Sequence, residues 1–238
     1  MKIAILSDIH GNTLALDAVL ADIAEEAPDG YWIVGDLVAP GPYPADAARM
    51  LSSLPNASFV RGNTDRKVLQ GDFPDDPDRS DATRFVWVHG AIAATGYEPW
   101  LRAIPLEAQE TLPDATRVLL VHAAPGTDDG RGIPPDMTDA ELAGILHEVN
   151  ADLVLVGHTH VPLDREVNVN GRTVHVHNPG SVSLPKTNDH RAMWTLLTAN
   201  DSGYTLERRF APYDIDRVKA AFDEVRHPAA EALKAMFP

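Results

Sequence analysis

The sequence predicts an α/β fold, and three features of its patterning carry that prediction. Apolar runs of strand length alternate with helical apolar stripes through residues 1–60, the rhythm of βαβ units on a largely parallel sheet. Polar clusters built from Asp, Asn and His sit at the ends of the apolar runs, where open α/β sheets gather their ligands. Beyond residue 162 the pattern turns to short strands joined by hairpin signals.

Lys2–Ser7 is apolar on both faces, which suits a central strand covered on each side. A helix begins at Asn12 or Thr13; its stripe is Leu16, Val19, Leu20 and Ile23, and Pro28-Asp29-Gly30 stops it. Tyr31–Gly35 reads as a second buried strand. A Pro/Gly loop precedes a helix whose face is Ala47, Met50, Leu51 and Leu54, and Ala57–Val60 is a third strand. Residues 66–112 break the rhythm and read as a helical insertion beside the site, with helices near Ala82–Ala94 and Glu98–Ala103. Within it, Gly71–Asp81 reads as an acidic surface loop. Asp75, Asp76 and Asp78 there lack the Gly and the terminal Glu of a calcium loop. Arg117–His122 and Asp152–Gly157 are further strands; between them Thr138 and Glu141 form a capping box for a helix carrying Leu142, Ile145, Leu146 and Val149. Leu163–Val169, Thr173–His177, Ala192–Thr198 and Tyr204–Phe210 follow as strands, the first two joined by the hairpin dipeptide Asn170-Gly171. Ile215, Val218, Phe222 and Val225 mark a C-terminal helix. No repeat or linker divides the chain, so residues 1–238 read as a single domain.

The 238 residues contain no cysteine, so any metal must bind through nitrogen and oxygen. No apolar stretch matches a signal peptide or a membrane span, and the expected location is the cytoplasm. With 20 Lys+Arg against 35 Asp+Glu, the net charge of −15 repels polyanions and argues against an extended nucleic-acid surface. A small phosphorylated substrate remains compatible if cations supply local positive charge.

Five clusters carry the chemistry: Asp8-Ile9-His10-Gly11, Gly35-Asp36, Gly62-Asn63-Thr64-Asp65, His122, and Gly157-His158-Thr159-His160. Asp, His and Asn suit borderline divalent metals. Asp8 and His10, like His158 and His160, are two residues apart, and in extended backbone such side chains point the same way. Two metals about 3.5–4 Å apart would clamp phosphoryl oxygens and bind the attacking hydroxide, with Asp36 best suited to bridge them. Each residue also has a plain structural role: Asp8 as a helix cap, Asp36 as a turn residue, Asn63 to Asp65 as a helix start, His122 as a strand-end histidine. Their joint occurrence favours the metal reading. His89, on the inserted helix, is a candidate proton donor reaching over the site, although a packing role accounts for it more simply. His175 and His177 alternate with Val174 and Val176, and read as the exposed face of a strand. Arg61 and Arg131 read as solvated, and Trp87 and Trp100 as packing residues.

In order and type these clusters resemble the calcineurin-like metallophosphoesterases, over about residues 1–185. Asn178-Pro179-Gly180-Ser181 is similar to the corresponding turn of the small bacterial and archaeal phosphodiesterase-type branch. The resemblance implies two packed mixed β-sheets flanked by helices in a four-layer sandwich. It implies two divalent ions, Mn²⁺ foremost, with Fe²⁺, Zn²⁺ and Ni²⁺ as alternatives. Asp8, His10 and His160 would hold the first metal, Asn63, His122 and His158 the second, and Asp36 would bridge. Asn63 and Asp65 would serve catalysis, and Thr64 and His89 would meet substrate. Thr64 stands where many family phosphatases carry a His that protonates the leaving group, which favours phosphodiesters over monoesters. Ala123 stands where Gly usually follows the lone His. The alternatives are a phosphomonoesterase acting on nucleotides or phosphoproteins, and a non-catalytic protein-binding scaffold.

Overall fold

The computed structural model describes residues 1–70 and 80–238. The chain opens with β1 (Lys2–Leu6), α1 (Thr13–Glu26), β2 (Gly30–Val34), α2 (Pro44–Ser52) and β3 (Ala57–Val60), the predicted alternation. Asn12 caps α1, its side chain accepting a hydrogen bond from the Ala15 amide at 3.2 Å. Three helices follow: α3 (Asn63–Gln70), α4 (Ser80–Ala94) and α5 (Glu98–Ala103). The acidic stretch expected as a surface loop lies outside the described residues over 71–79, and its last two residues already belong to α4. The chain then returns to strand as β4 (Glu107–Thr111), so the expected insertion ends in a sheet strand that the sequence did not reveal. β5 (Arg117–Val121), α6 (Asp139–Leu146) and β6 (Leu153–Leu155) come next. β7 (Leu163–Val169), β8 (Arg172–Asn178), β9 (Ala192–Asn200) and β10 (Gly203–Ala211) lead to α7 (Ile215–Glu224) and α8 (Ala230–Lys234). Both halves of the capping box form at α6 between Thr138 and Glu141.

The strands form two five-stranded mixed sheets, in the orders β10-β9-β1-β2-β3 and β4-β5-β6-β8-β7. β1, β2 and β3 run parallel, as do β5, β6 and β8, while β9 and β10 and the edge strands β4 and β7 pair antiparallel. Alternation along each strand decides the layering. Ile3, Ile5, Trp32 and Val34 point from the first sheet into a shared core with Val118, Leu120, Leu153 and Leu155 of the second. Ala4, Leu6 and Ile33 point the other way, against Leu16, Val19 and Ile23 of α1 and Leu51 of α2. Leu119, Val121, Val154 and Val156 pack under Leu142 and Leu146 of α6. The result is a helix–sheet–sheet–helix sandwich, with both faces of the central strands dry as their apolar runs require. Each fully buried Leu or Ile contributes roughly 1.5–3 kcal/mol by leaving water.

Both sheets run their parallel strands toward the same rim. β1, β2, β3, β5 and β6 end there immediately before the five polar clusters, so layering and strand direction together assemble the site.

Candidate metal centre

All seven candidate ligands converge at this rim, but not by the local geometry the spacing suggested. Asp8, His10, Asp36, His158 and His160 all have positive φ, between 52° and 66°. They are left-handed turn residues, not members of extended strands. Asp and His tolerate this region better than bulkier residues, yet each such residue costs about 1–2 kcal/mol. Backbone strain of this kind gathers at functional sites, where the surroundings over-determine it. Here the knitting is visible: the Asp8 amide donates to the Gly35 carbonyl (3.1 Å), the His10 amide to Asp36 (2.8 Å) and the Gly157 amide to His122 (2.8 Å). Close approach makes two glycines obligatory. A Cβ on Gly62 would lie 2.0 Å from Asp36 Oδ1, and one on Gly157 would lie 1.9 Å from Ser7 Oγ.

The two buried carboxylates are oriented alike. Ser7 Oγ donates to Asp8 Oδ2 (2.7 Å), leaving Asp8 Oδ1 3.3 Å from His160 Nε2 and 3.9 Å from His10 Nε2. Thr64 donates both its amide and its hydroxyl to Asp36 Oδ1 (2.9 and 2.7 Å). Asp36 Oδ2 is thereby turned between two histidines, 3.7 Å from His10 Nε2 and 3.4 Å from His122 Nε2.

The histidines are also held from behind. His122 Nδ1–H donates to the Val34 carbonyl (2.7 Å), His160 Nδ1–H to Leu184 (2.8 Å), and His10 Nδ1–H to Ala39. Such bonds fix the tautomer and present Nε2 to the centre. His158 is reversed: its Nε2–H donates to the Gly130 carbonyl (2.8 Å), and Nδ1 faces Asn63 Oδ1 at 3.3 Å. His158 and His160 therefore turn to opposite halves of the site, where the i, i+2 argument had them parallel.

This donor set fits divalent cations. His122 Nε2 is fully buried without a hydrogen-bond partner, and His10 Nε2 and His160 Nε2 face each other at 3.0 Å. Two groups of three, Asp8–His10–His160 and Asp8–Asp36–His122, bring one ligand atom each within 4.8 Å of one another. Burial opposes a charge on His122, but Asp36 and Asp8 overcome it and push the imidazole up to about 10. Burial likewise opposes a charge on His160, and Asp8 raises it, whereas for His10 burial prevails and the ring is held neutral. Burial would raise the Asp36 carboxyl, yet His122 and then His10 hold it well below the carboxylate range.

Other expected site residues are placed differently. Asp65 is fully buried and accepts from the amides of Leu37 (2.9 Å), Val38 (3.3 Å) and Gly62 (2.9 Å). It is a positioning residue that ties the loop after Asp36 to the turn before Asn63, not a group that meets substrate. Thr64 gives its hydroxyl to Asp36 and also lines the crevice. His89 donates Nδ1–H to the Val68 carbonyl at 2.9 Å, joining α4 to α3, and does not line the crevice. Arg61 pairs with Asp128 (3.3 Å) and Arg131 with Glu141 (3.3 Å), both away from the crevice. His175 and His177 are not an exposed face: His177 is 1% exposed.

The far wall of the site is built from residues that the sequence does not mark. The crevice over the centre, of about 310 Å³, is lined by Lys67, Arg84, Lys186 and His190 as well as by His10 and Asn63. Phe85, Tyr213 and the C-terminal Met236 and Phe237 complete it. The acidic chain thus presents cationic side chains at its site. A basic residue on a helix or in a loop carries no periodic signal that would mark it.

The chain belongs to the calcineurin-like phosphoesterase superfamily, whose domain model matches residues 1–201. It is 30% identical to the phosphodiesterase YfcE of Escherichia coli over 196 residues, 78% of this chain and 82% of that protein. It is 27% identical to uncharacterized protein MJ0912 of Methanocaldococcus jannaschii over 235 residues, 94% of this chain and 91% of that protein. Among solved structures it is similar to a metallophosphoesterase from Sphaerobacter thermophilus, with TM-score 0.75 and 26% identity over 97% of this chain and 98% of that one. The paired mixed sheets and the order of the polar clusters agree with this membership. Among the described residues no helix is long and apolar enough to cross a membrane.

Proposed function

We propose that this protein is a metal-dependent phosphodiesterase acting on a small phosphorylated molecule. The observation that carries the reading is Asp36 Oδ2, a single carboxylate oxygen turned by Thr64 between His10 and His122. Asp8, His10 and His160 would hold one divalent cation, and Asn63, His122 and His158 the other, with Asp36 shared. Mn²⁺ suits this mixed nitrogen and oxygen set, as do Fe²⁺, Zn²⁺ and Ni²⁺. Bound there, two such cations supply Lewis acidity toward phosphoryl oxygens and make water acidic enough to ionise near neutral pH. The chain's own residues do the rest. Asn63 turns Oδ1 toward His158 and keeps its NH₂ for a phosphoryl oxygen. Lys67, Arg84 and Lys186 draw an anion into the crevice. His190, the crevice imidazole outside the proposed ligand set, is the group available to protonate a leaving oxygen. The preference for diesters rests on Thr64, whose hydroxyl is committed to Asp36, and on the likeness to a protein named as a phosphodiesterase.

The test is hydrolysis of bis-p-nitrophenyl phosphate and p-nitrophenyl phosphate by metal-stripped protein, with Mn²⁺ then restored. Turnover that returns with metal and favours the diester supports the proposal. A preference for the monoester keeps the metal centre and makes the protein a phosphatase. No turnover with metal bound favours a scaffold.

A further inference from the structure

A second cluster of metal-ligating side chains lies on the β7–β8 hairpin. Asp164 is the cross-strand neighbour of His177, and His175 is two residues from His177 on the same strand. All three side chains therefore share one face. Val174 and Val176 take the opposite face, under α6. The Asp164–His face is covered by β9 and β10, which contribute Thr195 and Tyr204.

Asp164 Oδ1 touches His175 Nε2 and lies 3.8 Å from His177 Nδ1. The three donor atoms lie within 4.8 Å of one another. Each imidazole is held from its far side. His177 Nε2 is 2.9 Å from Thr195 Oγ1, and His175 Nδ1 is 2.9 Å from Tyr204 Oη. A partner accepting from the distal N–H fixes the ring of a metal-bound histidine, and here the two hydroxyls can fill that role. The Asp164–His175 ion pair explains only part of the cluster. His177 is 1% exposed, and its Nδ1, aimed at Asp164, has no hydrogen-bond partner. A buried ring nitrogen left in that state bears its desolvation cost uncompensated, and a cation shared with Asp164 and His175 removes the cost.

We propose that Asp164, His175 and His177 form a divalent-cation site, separate from the phosphoesterase centre, that takes a metal favouring imidazole, such as Zn²⁺. Two His and one carboxylate leave the fourth position of a tetrahedral ion for water. Asp164 is half-exposed and gives the ion its entry. The charge of Arg208 on β10 opposes a cation here. Asp164 and Glu166 supply the opposing negative charge beside Tyr204. The site is one residue from Asn178, whose Nδ2 donates to the Gly157 carbonyl (2.8 Å) and to Thr159 Oγ1 (3.1 Å). A bound ion would brace the turn that supports His158 and His160. None of its three ligands lines the crevice.

The test is Zn²⁺ binding by equilibrium dialysis with elemental analysis, on the full chain and on Asp164→Asn and His175→Gln. Asp164→Asn, at a half-exposed position, is expected to fold, with circular dichroism as the check. The expected result is one fewer Zn²⁺ per chain in each variant, or at least about tenfold weaker binding of that ion. Asp36→Asn should keep it. Zinc-dependent shifts of the His175 and His177 ring ¹⁵N resonances, lost in Asp164→Asn, provide the second readout. Unchanged stoichiometry and affinity in folded Asp164→Asn, or no response of either ring, would overturn the proposal.

Discussion

The Thr64 hydroxyl donates to Asp36 Oδ1 at 2.7 Å and turns Oδ2 toward His10 and His122. Thr64 thus fixes which Asp36 oxygen faces the centre, through its amide as well as its hydroxyl, and the Ser7 hydroxyl holds Asp8 Oδ2. Thr64→Val keeps the shape and the amide bond but removes the hydroxyl donor. Groups that orient metal ligands are worth about 10–100-fold in metal affinity or activity, and the variant should lose that much in Mn²⁺ titrations or in kcat. Thr64→Ser should restore most of it.

Asp65 stabilises the scaffold without touching the crevice. Its three bonds to backbone amides hold two ligand-bearing loops together. Asp65→Ala leaves those buried N–H groups unpaired and should cost about 3 kcal/mol or more, read as a lower denaturation midpoint. Unchanged stability would show that water or another group satisfies those amides.

Metal binding should release protons. Without cations, burial disfavours the His122 imidazolium, but Asp36 and Asp8 raise it to about 10, so at pH 7 the ring carries a proton that a cation must displace. Affinity should therefore rise as pH rises toward 10, about tenfold per unit for each proton displaced. Calorimetric titration at pH 7 in buffers of different ionisation enthalpy should report at least one proton released per chain. A buffer-independent heat would contradict the protonated His122.

The two remaining histidines near the site should separate cleanly. His89 bonds to the Val68 carbonyl, so His89→Ala should cost about 1 kcal/mol of stability and leave turnover of good and poor leaving groups in the same ratio. His190→Ala should slow esters with poor leaving groups more than nitrophenyl esters, by about 10²-fold or more if it is the acid. Equal effects on both would remove His190 from that role.

Much of this arrangement is legible in the sequence because strand ends and ligand types are local signals. Asp8, Asp36, Asn63, His122 and His158 each follow an apolar run, and parallel strands deliver them to one rim. The conformation at those ends was not legible. Spacing suggested extended backbone at Asp8–His10, but the loops knit by His10 N to Asp36 O impose left-handed turns. β4 was missed because Glu107 to Thr111 is a polar edge strand, held by backbone bonds to β5 and not by apolar alternation. α8 is only five residues long and gives little periodicity. The burial of His175 and His177 is not legible, because alternation identifies a polar face but not what covers it. Here β9 and β10 of the other sheet do. Lys186 and His190 lie in a loop between strands, where only the tertiary fold brings them to the crevice.

Asp36 would serve two metals through one oxygen. Electron paramagnetic resonance of the Mn²⁺-loaded protein tests it directly. An exchange-coupled signal from a Mn²⁺ pair is expected, lost or replaced by an isolated six-line spectrum in Asp36→Asn. An isolated six-line spectrum in the fully loaded native chain, with two Mn²⁺ bound, would contradict the shared oxygen.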